Sequence, residues 1–590
     1  MNKQAVYHKA KSSYCYAYNE KEIHIRIKTA KSDCQKIEIV YGDKYEWHHA
    51  QFKEMILELS DRDFDYFTVI LSMDSKRLSY YFKIYSMDKL YIFTEYGFLD
   101  KFSKGDEHSF VFHYPFINKE DIHEVPDWVK EAVFYQIFPD RFAIGNHREK
   151  SKKLTKWDSK PKHDSIFGGD LAGIIEKLPY LKDLGINAIY MTPIFKSTSN
   201  HKYNTNDYFE LDEDFGTKNE LRELVNEAHN LGIKVVLDAV FNHSGEEFFA
   251  FKDLLLNQEN SKYKDWFHVK SFPINFEDLI KRTKEKGWKD WYIDKETGKD
   301  ILPYHTFAHT PLMPKLNTEN KELKEYLLEV AKYWIREFDI DGWRLDVANE
   351  VDHQFWREFR IAVKEIKPEA YIVGEIWHDS TPWLQGDQYD SVMNYALTNA
   401  SIKYFAKGEI DSKEFSETLA GILMRYSWQV NEVMLNLLDS HDTARFINKA
   451  NFDIQKLKLA ELFMFTFIGA PMLYYGTEIG MTGEDDPDCR KGMIWDENKW
   501  DKELLDFIKN LIKIRKENIA LTRGNINFME HENLLIFQRE YKDKKTLVVI
   551  NNTNKSITYN VPPSYKKDEI TGNDLEKTLI INAFNGVILI

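Results

Sequence analysis

Three apolar runs of this sequence carry acids at their ends, GWRLDVANE (342–350), GEIW (374–377) and LLDSHDT (437–443), and a fourth, DAVFNH (238–243), adds Asp238, Asn242 and His243. Burying a charge is costly unless it is paired, so acids repeated at the ends of apolar runs imply a task. Convergent carboxylates serve two main chemistries. One collects a hard cation on Asp and Glu oxygens, carbonyls and water. The other cleaves a glycosidic bond: one carboxylate attacks the anomeric carbon or activates water, and a protonated partner supplies the leaving-group proton. The neighbours favour the second. Arg344 stands two residues before Asp346, hence on the same face of an extended chain, where a guanidinium lowers the acid's pKa and keeps it anionic. A metal cage gains nothing from that arginine. Glu375 lies between Gly374 and the apolar Ile376 and Trp377, a setting that raises a carboxyl pKa and suits an acid holding its proton near neutrality. A buried ion pair that merely closes the fold explains one such run end, but not four.

Elements must bring those ends together. From Ala132 onward, apolar runs of parallel-strand type recur at 132–140, 186–193, 234–243, 342–347, 371–377, 391–397, 433–442 and 470–478. Helical patterns fall between them, at 219–234, 320–338, 351–367 and 457–469. Eight such units predict an α/β TIM (β/α)8 barrel over 123–515, whose chemistry sits at the C-terminal strand ends. The excess of chain between His243 and Met313 predicts a small subdomain inserted after strand 3, at about 244–312. Ahead of the barrel, EIHIRIK, KIEIVYG, YFTVILSM, LSYYFKIYS and LYIFTEYG alternate with period two and predict an N-terminal β-sandwich over 1–122. Behind it, NLLIFQREY, KTLVVINN, SITYNV and GVILI predict a C-terminal antiparallel β domain over 516–590.

The 590 residues suffice for two to four domains and a large core. A net charge of -15 argues against nucleic acid or an anionic membrane as partner. Cys15, Cys34 and Cys489 are too few and scattered for a disulfide framework or zinc site, which fits a reducing compartment. The start lacks an apolar signal region and no run approaches the roughly 20 apolar residues of a span, so a cytoplasmic protein is expected. Aromatic residues make 15% of the chain, which suits stacking on sugars as well as filling a large core.

The four run ends, with GINAIYMTPIF (185–195), MPKLN (313–317) and GAPMLYYGTEIGM (469–481), resemble in order the signature regions of the alpha-amylase family, glycoside hydrolase family 13. The form VANEVDH, the N-terminal β domain and the lack of a signal peptide resemble its cyclomaltodextrinase, maltogenic amylase and neopullulanase subgroup. The resemblance implies Asp346 as nucleophile, Glu375 as general acid/base and Asp442 as the carboxylate holding sugar hydroxyls and the distorted ring. It implies that Arg344 orients and ionises the nucleophile and that His243 and His441 bind the sugar at subsite -1. Tyr203, in HKYNTNDYF, resembles the platform under that sugar, with His201 and Asp207 nearby; Trp377 and Glu350 fall where the subgroup shapes its acceptor subsites. Plainer roles stand beside these: Asp238 and Asn242 as architecture, Trp377 as packing, and Glu350 as a first-turn helix residue favoured by the dipole.

Two departures matter. Some relatives bind structural calcium after strand 1, where FAIGNHREK offers Ile144 and basic residues instead of side-chain oxygens, and GGD (168–170) keeps one acid. Structural calcium is thus poorly supported, and catalysis is expected to need no metal. Asn204 stands where relatives usually have aspartate. The resemblance implies a retaining α-glucan hydrolase cleaving α-1,4 bonds of cyclomaltodextrins, malto-oligosaccharides and pullulan or starch, with transglycosylation, acting as a homodimer paired through the N-terminal domain. Alternatives are an α-1,6-active debranching enzyme or a glucanotransferase on the same barrel. From a different class comes a non-catalytic glucan-binding protein, against which the three carboxylates count.

Overall fold

Eight short runs of apolar residues form one parallel sheet: β1 Phe134–Ile137, β2 Ala188–Met191, β3 Lys234–Ala239, β4 Gly342–Leu345, β5 Tyr371–Gly374, β6 Ser391–Val392, β7 Leu435–Leu437 and β8 Ala470–Tyr474. The structure is a computed structural model and describes residues 1–102, 109–145, 154–286, 292–294 and 296–590. The hydrogen-bonded order is β6, β5, β4, β3, β2, β1, β8, β7, and a parallel bridge between Met393 and Leu435 joins the two ends. Neighbours in sequence are therefore neighbours in space all round the ring. The eight expected strands are the staves of a (β/α)8 barrel.

Alternate side chains face opposite ways along each stave. Ala188, Tyr190, Val236, Val373, Leu437 and Met472 fill the interior, while Ile189, Val235, Leu237, Trp343, Leu345 and Ile372 pack outward beneath the helices. Apolar residues on both faces are the signature of a covered parallel sheet. Register then places the polar ends. Asp238 of β3 pairs with Arg344 of β4, and Leu345 of β4 pairs with Gly374 of β5, so Asp346 and Glu375 emerge side by side. Gly342 is required where β4 passes β5, because a Cβ there would stand 2.3 Å from the Tyr371 carbonyl oxygen. The helices between staves begin on side-chain caps: Asn320 accepts the Leu323 N–H and Asp352 the Phe355 N–H.

Ahead of the barrel two antiparallel sheets share a core of Ile23, Ile25 and Ile27 against Ile37, Ile39, Phe82 and Ile84. Between β3 and the helix Lys321–Phe338 lie helices Phe249–Asn257 and Phe276–Lys286, and bridges pairing Thr306 with Pro314 and His243 with Lys315 return the chain to the barrel. A hairpin of Phe195–Ser197 and Thr205–Leu211 follows β2, where the sequence reading places no strand. The C-terminal sheet is antiparallel and built from Asn525–Met529, Leu535–Tyr541, Lys544–Asn551 and Asn585–Leu589. Among the described residues no helix is long and apolar enough to cross a membrane.

Arg515, fully buried on the helix Lys502–Glu517, ties the turn into β8 to the helices around it. Its guanidinium donates to the carbonyl oxygens of Phe465 (2.9 Å), Phe467 (3.2 Å) and Gly469 (2.5 Å). Hydrogen bonds from a charged donor contribute about 1.5–3 kcal/mol each, and orphaned carbonyls cost more than replaced ones. Arg515→Met should therefore lower the melting temperature by several degrees in scanning calorimetry.

Candidate active site

The centre of the site is the buried side chain of Arg344. Its Nη1 donates to Asp238 (3.0 Å) and to Asp346 Oδ1 (2.9 Å). Its Nη2 stands 2.9 Å from Glu375 Oε2, a charge contact rather than an aligned hydrogen bond, and Nε has no partner. One cation thus serves three carboxylates. The expected depression of the Asp346 pKa is not what results: burial, then the charge of Glu375, outweigh the arginine and raise it well above the ordinary value. Asp238 is pushed up to about 6 by burial, against Arg344 and the hydroxyls of Tyr190 and Tyr203.

The surroundings of Glu375 are polar as well as apolar. Ile376 turns away and is buried in the layer beneath the helices, and polar donors face the carboxyl instead. Oε2 accepts the Val347 N–H (3.1 Å) and Oε1 the indole N–H of Trp377 (3.0 Å). Val347 holds its N–H there from a left-handed conformation, φ 46° and ψ 42°, a genuine outlier for a β-branched residue and the kind of strain that gathers at functional sites. Trp377 is half exposed, its ring stacked on Tyr395 at 3.6 Å.

On the opposite wall the Tyr203 hydroxyl reaches Asp238 Oδ2 (3.0 Å) and His441 Nε2 (2.6 Å), with the two rings parallel at 5.5 Å. Asp442 lies between His441 Nε2 (3.1 Å) and Arg490 Nη2 (3.2 Å). Arg490 is itself fixed, donating from Nε to the His441 carbonyl oxygen (2.7 Å) and pairing with Asp486 (3.0 Å). The imidazoles are neutral. Burial, and then the charge of Arg490, push His201 down to about 3 and His441 further; burial, and then Lys315, do the same to His243.

These side chains surround a cleft of about 530 Å3, lined among others by His201, Tyr203, Asp346, Glu350, Glu375, Trp377 and Asp442. Arg344 and His441 stand behind its wall. His243 is fully buried under Phe307, whose ring stacks on it at 4.8 Å, and its Nε2 has no partner. Asp207 is not brought to the cleft: it lies in the hairpin strand and accepts the Phe209 N–H (2.9 Å). Glu350 is held from behind by Lys315, whose Nζ donates to the Glu350 carbonyl oxygen (2.9 Å) and to Asn242 Oδ1. The sequence reading missed Phe307 and Arg490, which also line the cleft. Arg490 had a faint signal in Asp486, four residues earlier; Phe307 had none, lying in the irregular inserted subdomain.

Asn204 uses both faces of its amide, accepting from Ser197 Oγ (2.7 Å) and donating to Thr198 Oγ1 (2.7 Å) and Glu246 (3.3 Å), which an aspartate could not do. After β1, Asp170 Oδ1 accepts the N–H groups of Gly145 (2.9 Å) and Gly173 (2.8 Å), and Ile144 offers no side-chain oxygen. The described part of that loop does not fit a calcium ion; residues 146–150 of FAIGNHREK lie outside the described residues. Among the described residues no group of three or more His, Cys, Asp or Glu could hold a metal.

The crowding of carboxylates gives a stability test. An acid whose folded pKa lies above its unfolded value of about 3.8 carries a penalty that is fully present at high pH and fades as pH falls through the folded pKa. Asp346→Asn should therefore raise the melting temperature at pH 7, and by less at pH 5, as thermal denaturation at the two pH values will read.

Comparison with known proteins fits this geometry. The sequence model of the alpha amylase catalytic domain matches residues 136–499, and that of the alpha amylase N-terminal Ig-like domain matches residues 1–118. A cyclomaltodextrinase of Geobacillus thermopakistaniensis (strain MAS1) is 46% identical over 570 residues, 95% of this chain and 93% of the relative. Neopullulanase 2 of Thermoactinomyces vulgaris is 43% identical over 605 residues, 99% of each. The solved structure of a cyclomaltodextrinase superposes with a TM-score of 0.91 at 43% identity, covering 100% of both chains. The chain belongs to the alpha-amylase family, glycoside hydrolase family 13.

Proposed function

We propose that the chain is a retaining hydrolase cleaving α-1,4 bonds of cyclomaltodextrins and malto-oligosaccharides, and of pullulan or starch, with transglycosylation as a second outcome. One observation carries the reading: Asp346 and Glu375 are held on neighbouring nitrogens of one guanidinium, each at 2.9 Å. Carboxylates tethered this way are close neighbours, as in retaining glycosidases, whose pair stands about 5 Å apart; inverting pairs need about 6.5–9.5 Å to admit water. In this reading Glu375 protonates the glycosidic oxygen and Asp346 attacks the anomeric carbon. Glu375 then takes the proton of the incoming water or sugar hydroxyl. Asp442, fixed by Arg490, receives hydroxyls of the reacting sugar, Tyr203 lies beneath its ring and His201 beside it. Trp377 and Glu350 line the acceptor side, while Arg344, His243 and His441 hold the wall. The names of the two relatives support the substrate class.

The route is complete with two carboxylates and water, so no metal is assigned to it. The cysteines Cys15, Cys34 and Cys489 are unpaired, which suits a reducing compartment and a cytoplasmic enzyme. The N-terminal sandwich exposes Phe52, Ile56, Leu57 and Ile70, apolar side chains that a second copy would cover in a homodimer.

Asp346→Asn and Glu375→Gln should each lower kcat on a cyclodextrin by at least ~1,000-fold, EDTA should leave the parent rate unchanged, and the first product seen by proton NMR should be the α-anomer. An initial β-anomer would overturn the retaining assignment. The acid limb of kcat/KM should follow the carboxylate cluster, because activity needs Asp346 ionised and is lost as pH falls through its raised pKa. Asp238→Asn removes one charge that raises that pKa and should move the limb to lower pH.

A further inference from the structure

We infer a second saccharide-binding site, apart from the catalytic cleft, in a cavity of about 310 Å3 between the N-terminal sandwich and the barrel. The identity of its ligand rests on the glucan reading above; the site itself rests on its walls. Two side chains there are more than nine-tenths buried yet leave polar atoms without well-aligned partners: the ring nitrogens of His123, which have only the Tyr389 carbonyl beside them, and Oε1 of Gln429. Gln429 is fixed, donating from Nε2 to the carbonyl oxygens of Ala17 (3.0 Å) and Tyr18 (3.3 Å), so its open oxygen is an oriented acceptor. In the same wall the hydroxyls of Tyr114 and Tyr426 accept the N–H groups of Ala17 and Ser380, both at 3.1 Å. Each keeps its own proton to donate. Arg425 lines the cavity half-buried, with no ion-pair partner among the described residues. Buried polar groups are almost always hydrogen-bonded, so a wall with this many open positions is built to meet something polar.

The inventory selects the class of ligand. Two hydroxyl donors, an amide acceptor, an imidazole and tyrosine rings are what a polyhydroxylated molecule uses for recognition. His123 is neutral, its pKa pushed down to about 3 by burial and by Arg360 and Lys364, so it can donate from one nitrogen and accept at the other. Charges round the cavity oppose one another: Lys11 pairs with Asp121 (3.7 Å) and Arg357 with Asp387 (2.6 Å), and Arg425 stands against Glu120, which favours an uncharged guest. Small-ligand sites begin near ~300 Å3, room for one or two sugar rings. Gly386, at φ 101°, presses its backbone on the histidine, where a Cβ would come within 3.1 Å of the His123 Cβ. A shallower cleft sharing Ser12, Gln385 and Arg425 adjoins the cavity and gives it a way in. Glucose and maltose, the products of the proposed reaction, are members of this class.

Maltose is the probe. Titration calorimetry on the Glu375→Gln enzyme, which leaves maltose intact, should find two molecules per chain, and a crystal soaked with maltose should show the second against His123 and Gln429. Gln429→Leu and, as a surface-proximal alternative less able to disturb folding, Arg425→Met should each reduce the count from two to one in that background. In the otherwise unaltered enzyme, each should leave kcat/KM on a cyclodextrin within twofold. Ordered water alone in the soaked cavity, or a stoichiometry of one in the Glu375→Gln enzyme with maltose in the catalytic cleft, would overturn this inference and leave the glucan reading intact. No maltose at either place would overturn both.

Discussion

One guanidinium shared by three buried carboxylates is the constraint on which the rest of the site depends. Arg344 can meet Asp238, Asp346 and Glu375 together only if β3, β4 and β5 are in the observed register. That register in turn needs the bare backbone of Gly342 against Tyr371. Because a single cation does not neutralise three anions, the surroundings supply donors as well: the hydroxyls of Tyr190 (2.6 Å) and Tyr203 (3.0 Å) on Asp238, and the Val347 N–H on Glu375. The left-handed turn at Val347 follows from this demand.

The same imbalance has a catalytic use in the proposed reaction. The transition state of glycoside cleavage carries positive charge on the sugar, and a buried cluster of acids only partly offset by Arg344 and Arg490 is complementary to it before any substrate arrives. The neutral imidazoles fit this arrangement. A charged His441 beside Asp442 would cancel part of the field, and burial with the nearby Arg490 prevents that.

Much of this was legible in the sequence, and the rest has identifiable reasons for being hidden. The eight staves could be read because a parallel sheet covered on both faces must be continuously apolar, and polar ends stand out against such runs. Arg344 and Asp346 could be paired because period two is a rigid rule. The direction of the Asp346 pKa could not, because Asp238 and Glu375 reach the same arginine from strands 106 and 31 residues away, and local spacing counts only the near partner. The donors on Glu375 were hidden for the same reason, since the Val347 N–H reaches its carboxyl across 28 residues of chain. Asp207 shows the limit of transferring a position by motif, since strand pairing draws it away from the cleft, while His243 stands in the wall beneath Phe307. Phe307 and Arg490 arise from segments whose shape is set by tertiary contacts rather than by periodicity.

The pairing of Asp238 with Arg344 across β3 and β4 also bears on how such a gene can change. Losing or gaining one codon within either strand would shift parity, turning Leu345 inward and the arginine beneath the helices, so a single-residue indel there cannot be absorbed. The seventy or so residues between His243 and Met313 carry no such parity, because the bridge between His243 and Lys315 at their base fixes where the chain returns. Diversification of lineages on this scaffold is therefore channelled: staves evolve by substitution, and the inserted subdomain is where length can drift.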